Sequence, residues 1–75
     1  MSIAEMLKNY RIHKNYTFRR LANEIGVDAA SIFHWENGSY MPSFDNIIKL
    51  SEVLEIDLKE LTLAYMNEKI KRKAN

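Results

Sequence analysis

Residues 17–38 read Thr17-Phe18-Arg19-Arg20-Leu21-Ala22-Asn23-Glu24-Ile25-Gly26-Val27-Asp28-Ala29-Ala30-Ser31-Ile32-Phe33-His34-Trp35-Glu36-Asn37-Gly38. Thr17 is a good N-cap, and the spacing after it predicts a helix over 18–25 with Leu21, Ala22 and Ile25 inward. Gly26 adopts positive φ without steric strain, so it can end that helix and reverse the chain tightly. Asp28 suits the N-cap of a second helix over 29–36, with Ile32 and Trp35 inward. Asn37-Gly38 then marks a turn.

The same reasoning extends outward in both directions. Upstream, Ile3, Leu7 and Tyr10 form one stripe with Met6 beside it, predicting a helix over 3–13. Asn15 breaks that pattern, and Asn tolerates the left-handed conformation that often ends a helix. Downstream, Pro42 forbids helix at the residue before it. Ser43 or Asp45 caps a fourth helix whose stripe is Phe44, Ile47, Ile48, Leu50, Val53 and Leu54. Asp57 caps a fifth, with Leu58 and Leu61 inward and apolar spacing that continues through Tyr65, Met66 and Ile70. The expected fold is all-α with five helices.

Composition sets the limits of function. The chain has 75 residues, no Cys, two Gly and one Pro, which excludes a disulfide scaffold, a thiolate metal site and a turn-rich all-β fold. A domain of this size buries only about 60% of its unfolded surface, so helix packing carries the stability, alone or with help from a second copy. No run of apolar residues approaches the ~18 that a membrane span needs, and Met1 to Glu5 lack a signal-peptide layout, so a cytoplasmic protein is expected. His13 and His34 are too few and too isolated for a metal site. No Ser-His-Asp set, paired carboxylates or Gly-rich phosphate loop is present, so no enzyme, cofactor or small-molecule ligand is expected.

Net charge is only +1, but it is segregated. Lys8, Arg11, Lys14, Arg19 and Arg20 lie within residues 8–20 with no acid among them. Residues 21–68 hold nine acids against Lys49 and Lys59, and the end of the chain adds Lys69, Lys71, Arg72 and Lys73. Such segregation fits a polyanion-binding face opposite an acidic one, and equally a set of solvated helix faces.

Two short helices joined by Gly26-Val27 match the turn size of a helix-turn-helix. Here the sequence resembles the XRE family of lambda-repressor and Cro-like DNA-binding domains, over residues 7–61. Leu7-Lys8-Asn9-Tyr10-Arg11 resembles the family's first helix with its Arg. Thr17-Phe18-Arg19-Arg20-Leu21-Ala22 resembles the opening of its second. Ile25-Gly26-Val27-Asp28 is similar to the turn, and Ser31-Ile32-Phe33-His34-Trp35-Glu36-Asn37-Gly38 to the recognition helix and its exit. Pro42-Ser43, Ile47 to Leu54 and Ile56-Asp57-Leu58-Lys59-Glu60-Leu61 resemble helices four and five. Three positions depart from the family: Asn15 and Glu55 stand where Gly is usual or frequent, and Phe18 where Gln is frequent.

The resemblance implies a lambda-repressor-like DNA-binding domain over residues 1–62, its helix-turn-helix at about 18–37, followed by a helical basic tail over 63–75. It implies that the second helix crosses the DNA backbone with the N–H groups of Thr17, Phe18 and Arg19 facing a phosphate. Arg19 and Arg20 would pair with phosphates, and Asn37, Ser39, Tyr40 and Ser43 would form a second phosphate clamp. Base reading would fall to Ala29, Ala30, Ser31, Phe33 and His34. Ala and Phe can touch thymine methyls, and His34 or Ser31 can bond a base edge, so T-rich half-sites are expected. Arg11 and Glu36 would pair across the first and third helices, behind that face.

The expected function is a sequence-specific regulator of transcription, a repressor acting on a pseudo-palindromic duplex. The expected dimer forms through helix five and the segment after it. Phage or mobile-element repressors, restriction–modification controllers and antitoxin-like autorepressors all match a domain this short. The competing reading is a protein-interaction module of the same fold, motivated by Phe18 and by a third helix poor in hydrogen-bonding groups.

Overall fold

A computed structural model describes residues 1–74. Its elements are α1 (Ile3–His13), α2 (Phe18–Ile25), α3 (Ala29–Glu36), α4 (Phe44–Leu54) and α5 (Leu58–Ala74). Among the described residues there is no strand, and no helix is long and apolar enough to cross a membrane.

Local chemistry accounts for most of the helix ends. Ser2 and Glu5 form a reciprocal capping box at α1: the Glu5 N–H donates to Ser2 Oγ and the Ser2 N–H donates to Glu5 Oε1. Thr17 caps α2 by accepting from the Arg20 N–H, and Gly26 ends it at φ 78°. Ser43, not Asp45, caps α4. Asp57 Oδ2 accepts the Glu60 N–H at 3.0 Å and opens α5. Asp28 stands at the N-cap of α3, but its carboxylate makes no capping bond, so that helix start rests on packing.

Asn15 and Glu55 have φ of 60° and 55°. Both positions where the family favours Gly are therefore left-handed here. Asn tolerates that region through its short polar side chain, and Glu does so at a steric cost. The two corners are joined by an ion pair between Lys14 and Glu55.

The core lies where all five helices converge. Leu7, Leu21, Ile32, Ile47, Leu50, Leu54 and Leu61 are fully enclosed, and each such residue contributes roughly 1.5–3 kcal/mol of burial. In the framework α1 packs on α3, α4 and α5, and α2 packs on α3 and α4. Trp35 is buried and belongs to this core. Leu58 departs from expectation: it is 45% exposed, because it lies at the end of α5 and at the margin of the stripe that Leu61 and Tyr65 bury. Phe44 is also largely exposed, its ring tilted over Tyr65 at 5.8 Å.

The boundary expected between residues 62 and 63 falls inside α5, which runs on unbroken and buries Tyr65. The last residue of the expected tail, Asn75, lies outside the described residues.

Candidate nucleic-acid interface

Three segments surround one surface: the N-terminus of α2, the outer side of α3 and the loop over residues 37–43. At α2 the Thr17 hydroxyl takes the Arg20 N–H. The N–H groups of Phe18 and Arg19 have no intramolecular acceptor among the described residues. A helix start with free N–H groups favours an anion. Arg19 is exposed and makes no ion pair among the described residues. Arg20 lies over the Tyr16 ring at 4.3 Å, with its Nε 3.9 Å from Glu24.

The basic cluster read along the chain divides in space. Arg11 is engaged inside the protein, and Lys14 is paired at its surface. Arg11 Nε and Nη2 donate to the two Glu36 carboxylate oxygens at 2.6 and 3.0 Å, and Nη1 donates to the Tyr16 carbonyl at 2.7 Å. The side chains of Arg11 and Glu36 are only 12% and 5% exposed. This two-pronged pair joins α1 to the end of α3, as expected. Lys14 is held by Glu55, which raises the Lys14 pKa and lowers that of Glu55 through the hydrogen bond between them. Lys8, Arg19 and Arg20 are the exposed cations of this segment.

Phe18 does not face outward freely. Its ring lies between the Arg11 guanidinium, 4.3 Å from the centroid, and the edge of Phe33 at 6.0 Å. Only its backbone N–H remains for a phosphate. From Phe33 the aromatic row continues to His34 at 5.4 Å, which stacks on Tyr40 at 4.8 Å. The row links both ends of the expected interface through the middle of α3. Sequence spacing gave no sign of it, because its members come from α2, α3 and a loop.

On α3 itself, Ala30 and Phe33 are exposed and Ser31 is half-buried. Ala29 corrects the expectation: it packs against the core, being one turn before Ile32 on the inward side. His34 is half-buried, with Nδ1 enclosed and unpartnered, so a partner can be met only from the Nε2 edge.

The loop is built from its own side chains. Asn37 Oδ1 accepts from both the N–H and the hydroxyl of Ser39, at 2.9 and 2.6 Å, and Gly38 takes φ 79°. This Asx-type turn holds Ser39 and Tyr40 exposed beside α3. Ser43 Oγ is already the acceptor for Asn46, which leaves its hydroxyl hydrogen to donate. Arg72 Nη2 of α5 donates to the Gly38 carbonyl at 2.8 Å, across 34 residues of sequence. No local spacing could have announced that link.

Comparison with known proteins gives the family. A model of the helix-turn-helix domain matches residues 4–66. The chain belongs to the helix-turn-helix domain family. The helix-turn-helix chain is 38% identical over 61 residues to the cryptic phage CTXphi transcriptional repressor RstR of Vibrio cholerae serotype O1. That match covers 81% of this chain and 54% of the relative. It is 30% identical over 67 residues to the uncharacterized HTH-type transcriptional regulator YqaE of Bacillus subtilis, covering 89% of this chain and 58% of the relative. The chain thus spans a little over half the length of these curated relatives. No solved structure matches significantly.

Proposed function

We propose that this helix-turn-helix chain binds double-stranded DNA and represses transcription as a dimer, with α3 in the major groove. One observation carries the reading: an exposed α3 surface is flanked on both sides by donors suited to phosphates. The free Phe18 and Arg19 N–H groups with Arg19 and Arg20 lie on one side. On the other are the Asn37 amide, the Tyr40 hydroxyl and the Ser43 hydroxyl, while Ser39 gives both its hydrogens to Asn37 Oδ1 and holds the turn. The buried Arg11–Glu36 pair fixes α3 beneath them. A relative whose name is transcriptional repressor supports the regulatory part.

In this reading residues 1–62 form the DNA-binding domain, and α5 with the segment after residue 62 contacts a second copy. Leu63, Met66 and Ile70 supply the apolar surface for that contact, and two-fold pairing sets the recognition helices about 34 Å apart on a pseudo-palindrome. Ala30 and Phe33 touch thymine methyls, while Ser31 and the Nε2 edge of His34 bond base edges.

Selection of bound duplexes from a random pool tests binding, palindromy and spacing together. T-rich half-sites one helical turn apart are expected; a dominant G requirement beneath α3 contradicts the base-reading assignment. The apolar Phe18–Phe33 surface favours a second reading, a protein-binding module. A salt titration separates the two. Duplex affinity falls with a log–log slope of roughly −0.9 per neutralised phosphate, whereas an apolar protein interface is nearly indifferent to salt.

A further inference from the structure

We infer that Arg72, near the end of α5, is a positioning residue for the loop that follows α3. Its guanidinium bridges two partners: Nε donates to Glu68 Oε2 at 3.1 Å, and Nη2 donates to the Gly38 carbonyl at 2.8 Å. Glu68 lies one turn earlier on the same helix and is only 22% exposed at its side chain, so it aims the Arg fork at the loop. Gly38 lies between Asn37 and Ser39, whose mutual hydrogen bonds form the turn. The Ser39 N–H also donates to the His34 carbonyl at 3.1 Å, and Tyr40 stacks on the His34 ring. The Arg72 bond thereby fixes the carbonyl at the centre of a turn that carries Ser39 and Tyr40.

A loop of this kind, bonded mainly to itself, otherwise opens easily. An arginine that is already hydrogen-bonded on two sides is a poor phosphate ligand, so Arg72 acts through the loop and not on the duplex. The opposite side of α5 carries Leu63, Met66 and Ile70, spaced as one stripe away from Glu68 and Arg72. One helix therefore holds the loop on one side and the apolar stripe on the other.

This inference rests on the DNA-binding reading for its functional half, and the test separates the two. Arg72→Gln in the full chain is compared with the parent in two measurements. The first is affinity for a duplex selected by the parent, across a salt series. Binding weaker by roughly fivefold is expected, the loss of one charge-assisted hydrogen bond, with the salt slope unchanged. A slope smaller by about 0.9 makes Arg72 a phosphate contact and overturns the assignment, as does unaltered affinity. The second is amide hydrogen exchange in the free protein. Faster exchange at Ser39 is expected, with core amides such as Leu21 and Leu50 unchanged. Unchanged Ser39 exchange, or acceleration throughout the core, overturns the positioning role whether or not DNA is bound. If the parent selects no duplex, the DNA reading and the functional half fall together, and exchange at Ser39 still decides the clamp.

Discussion

Arg11 commits its whole guanidinium inside the protein, to both Glu36 oxygens, to the Tyr16 carbonyl and to the Phe18 ring. Removing one partner of a buried pair leaves the other charge unsolvated, which outweighs the attraction lost. Glu36→Ala should therefore lower stability by about 3 kcal/mol, measured by urea unfolding. A melt within error of the parent rules out a buried pair. Glu5 makes a prediction of opposite character. The Ser2 backbone N–H, and then the Ser2 hydroxyl, hold its carboxyl below the usual range. A group with a depressed folded pKa stabilises above its unfolded pKa and loses that contribution as pH falls through the folded value. The stability advantage of the parent over Glu5→Gln should thus be present at neutral pH and disappear on acidification below the ordinary carboxylate range. An advantage that persists in strong acid assigns the effect to something other than the charge.

At the scale of elements, α2 and α3 meet through Phe18 and Phe33 at the point where family members often carry Gln. The aromatic edge contact and the Arg11 cation beneath it are each worth about 0.5–1.5 kcal/mol, which is the physical case for Phe at this position. Phe18→Gln should lower the thermal midpoint, yet bind a selected duplex at least as tightly well below that midpoint, because Gln can donate to a phosphate. An unchanged midpoint would show that the ring contributes no packing. The short α3 depends on such neighbours: its N-cap Asp28 makes no capping bond, and eight residues alone would not hold a helix in water.

The whole molecule has one feature that its own core does not explain, the apolar line along the outside of α5. Leu63, Met66 and Ile70 are 56, 47 and 64% exposed. In the proposed dimer that line is covered, and both recognition helices bind one duplex together. Leu63→Glu should leave the thermal midpoint of the dilute protein unchanged and convert dimer to monomer in sedimentation. Operator affinity should fall roughly tenfold or more, because the second half-site no longer benefits from linkage to the first. A variant that remains dimeric moves the interface elsewhere.

The residues from Thr17 to Gly38 alone determined the helix-turn-helix, because caps, glycine turns and apolar spacing act over three or four positions and are written locally. The Arg11–Glu36 pair, 25 residues apart, came from the family pattern and not from local spacing; the same local rule located α1, α4 and α5. It failed wherever two distant segments had to meet. The exposure of Ala29 and of Leu58 differs from expectation, since a residue at the first position of a helix is covered or left open by its neighbours and not by its period. Folding also divided the basic cluster: Arg11 is held within by Glu36, Lys14 is paired at the surface with Glu55, and Lys8, Arg19 and Arg20 are presented outward. The row from Phe18 to Tyr40 and the Arg72 bond to Gly38 were likewise decided only in three dimensions, where packing brings together side chains that no sequence interval relates.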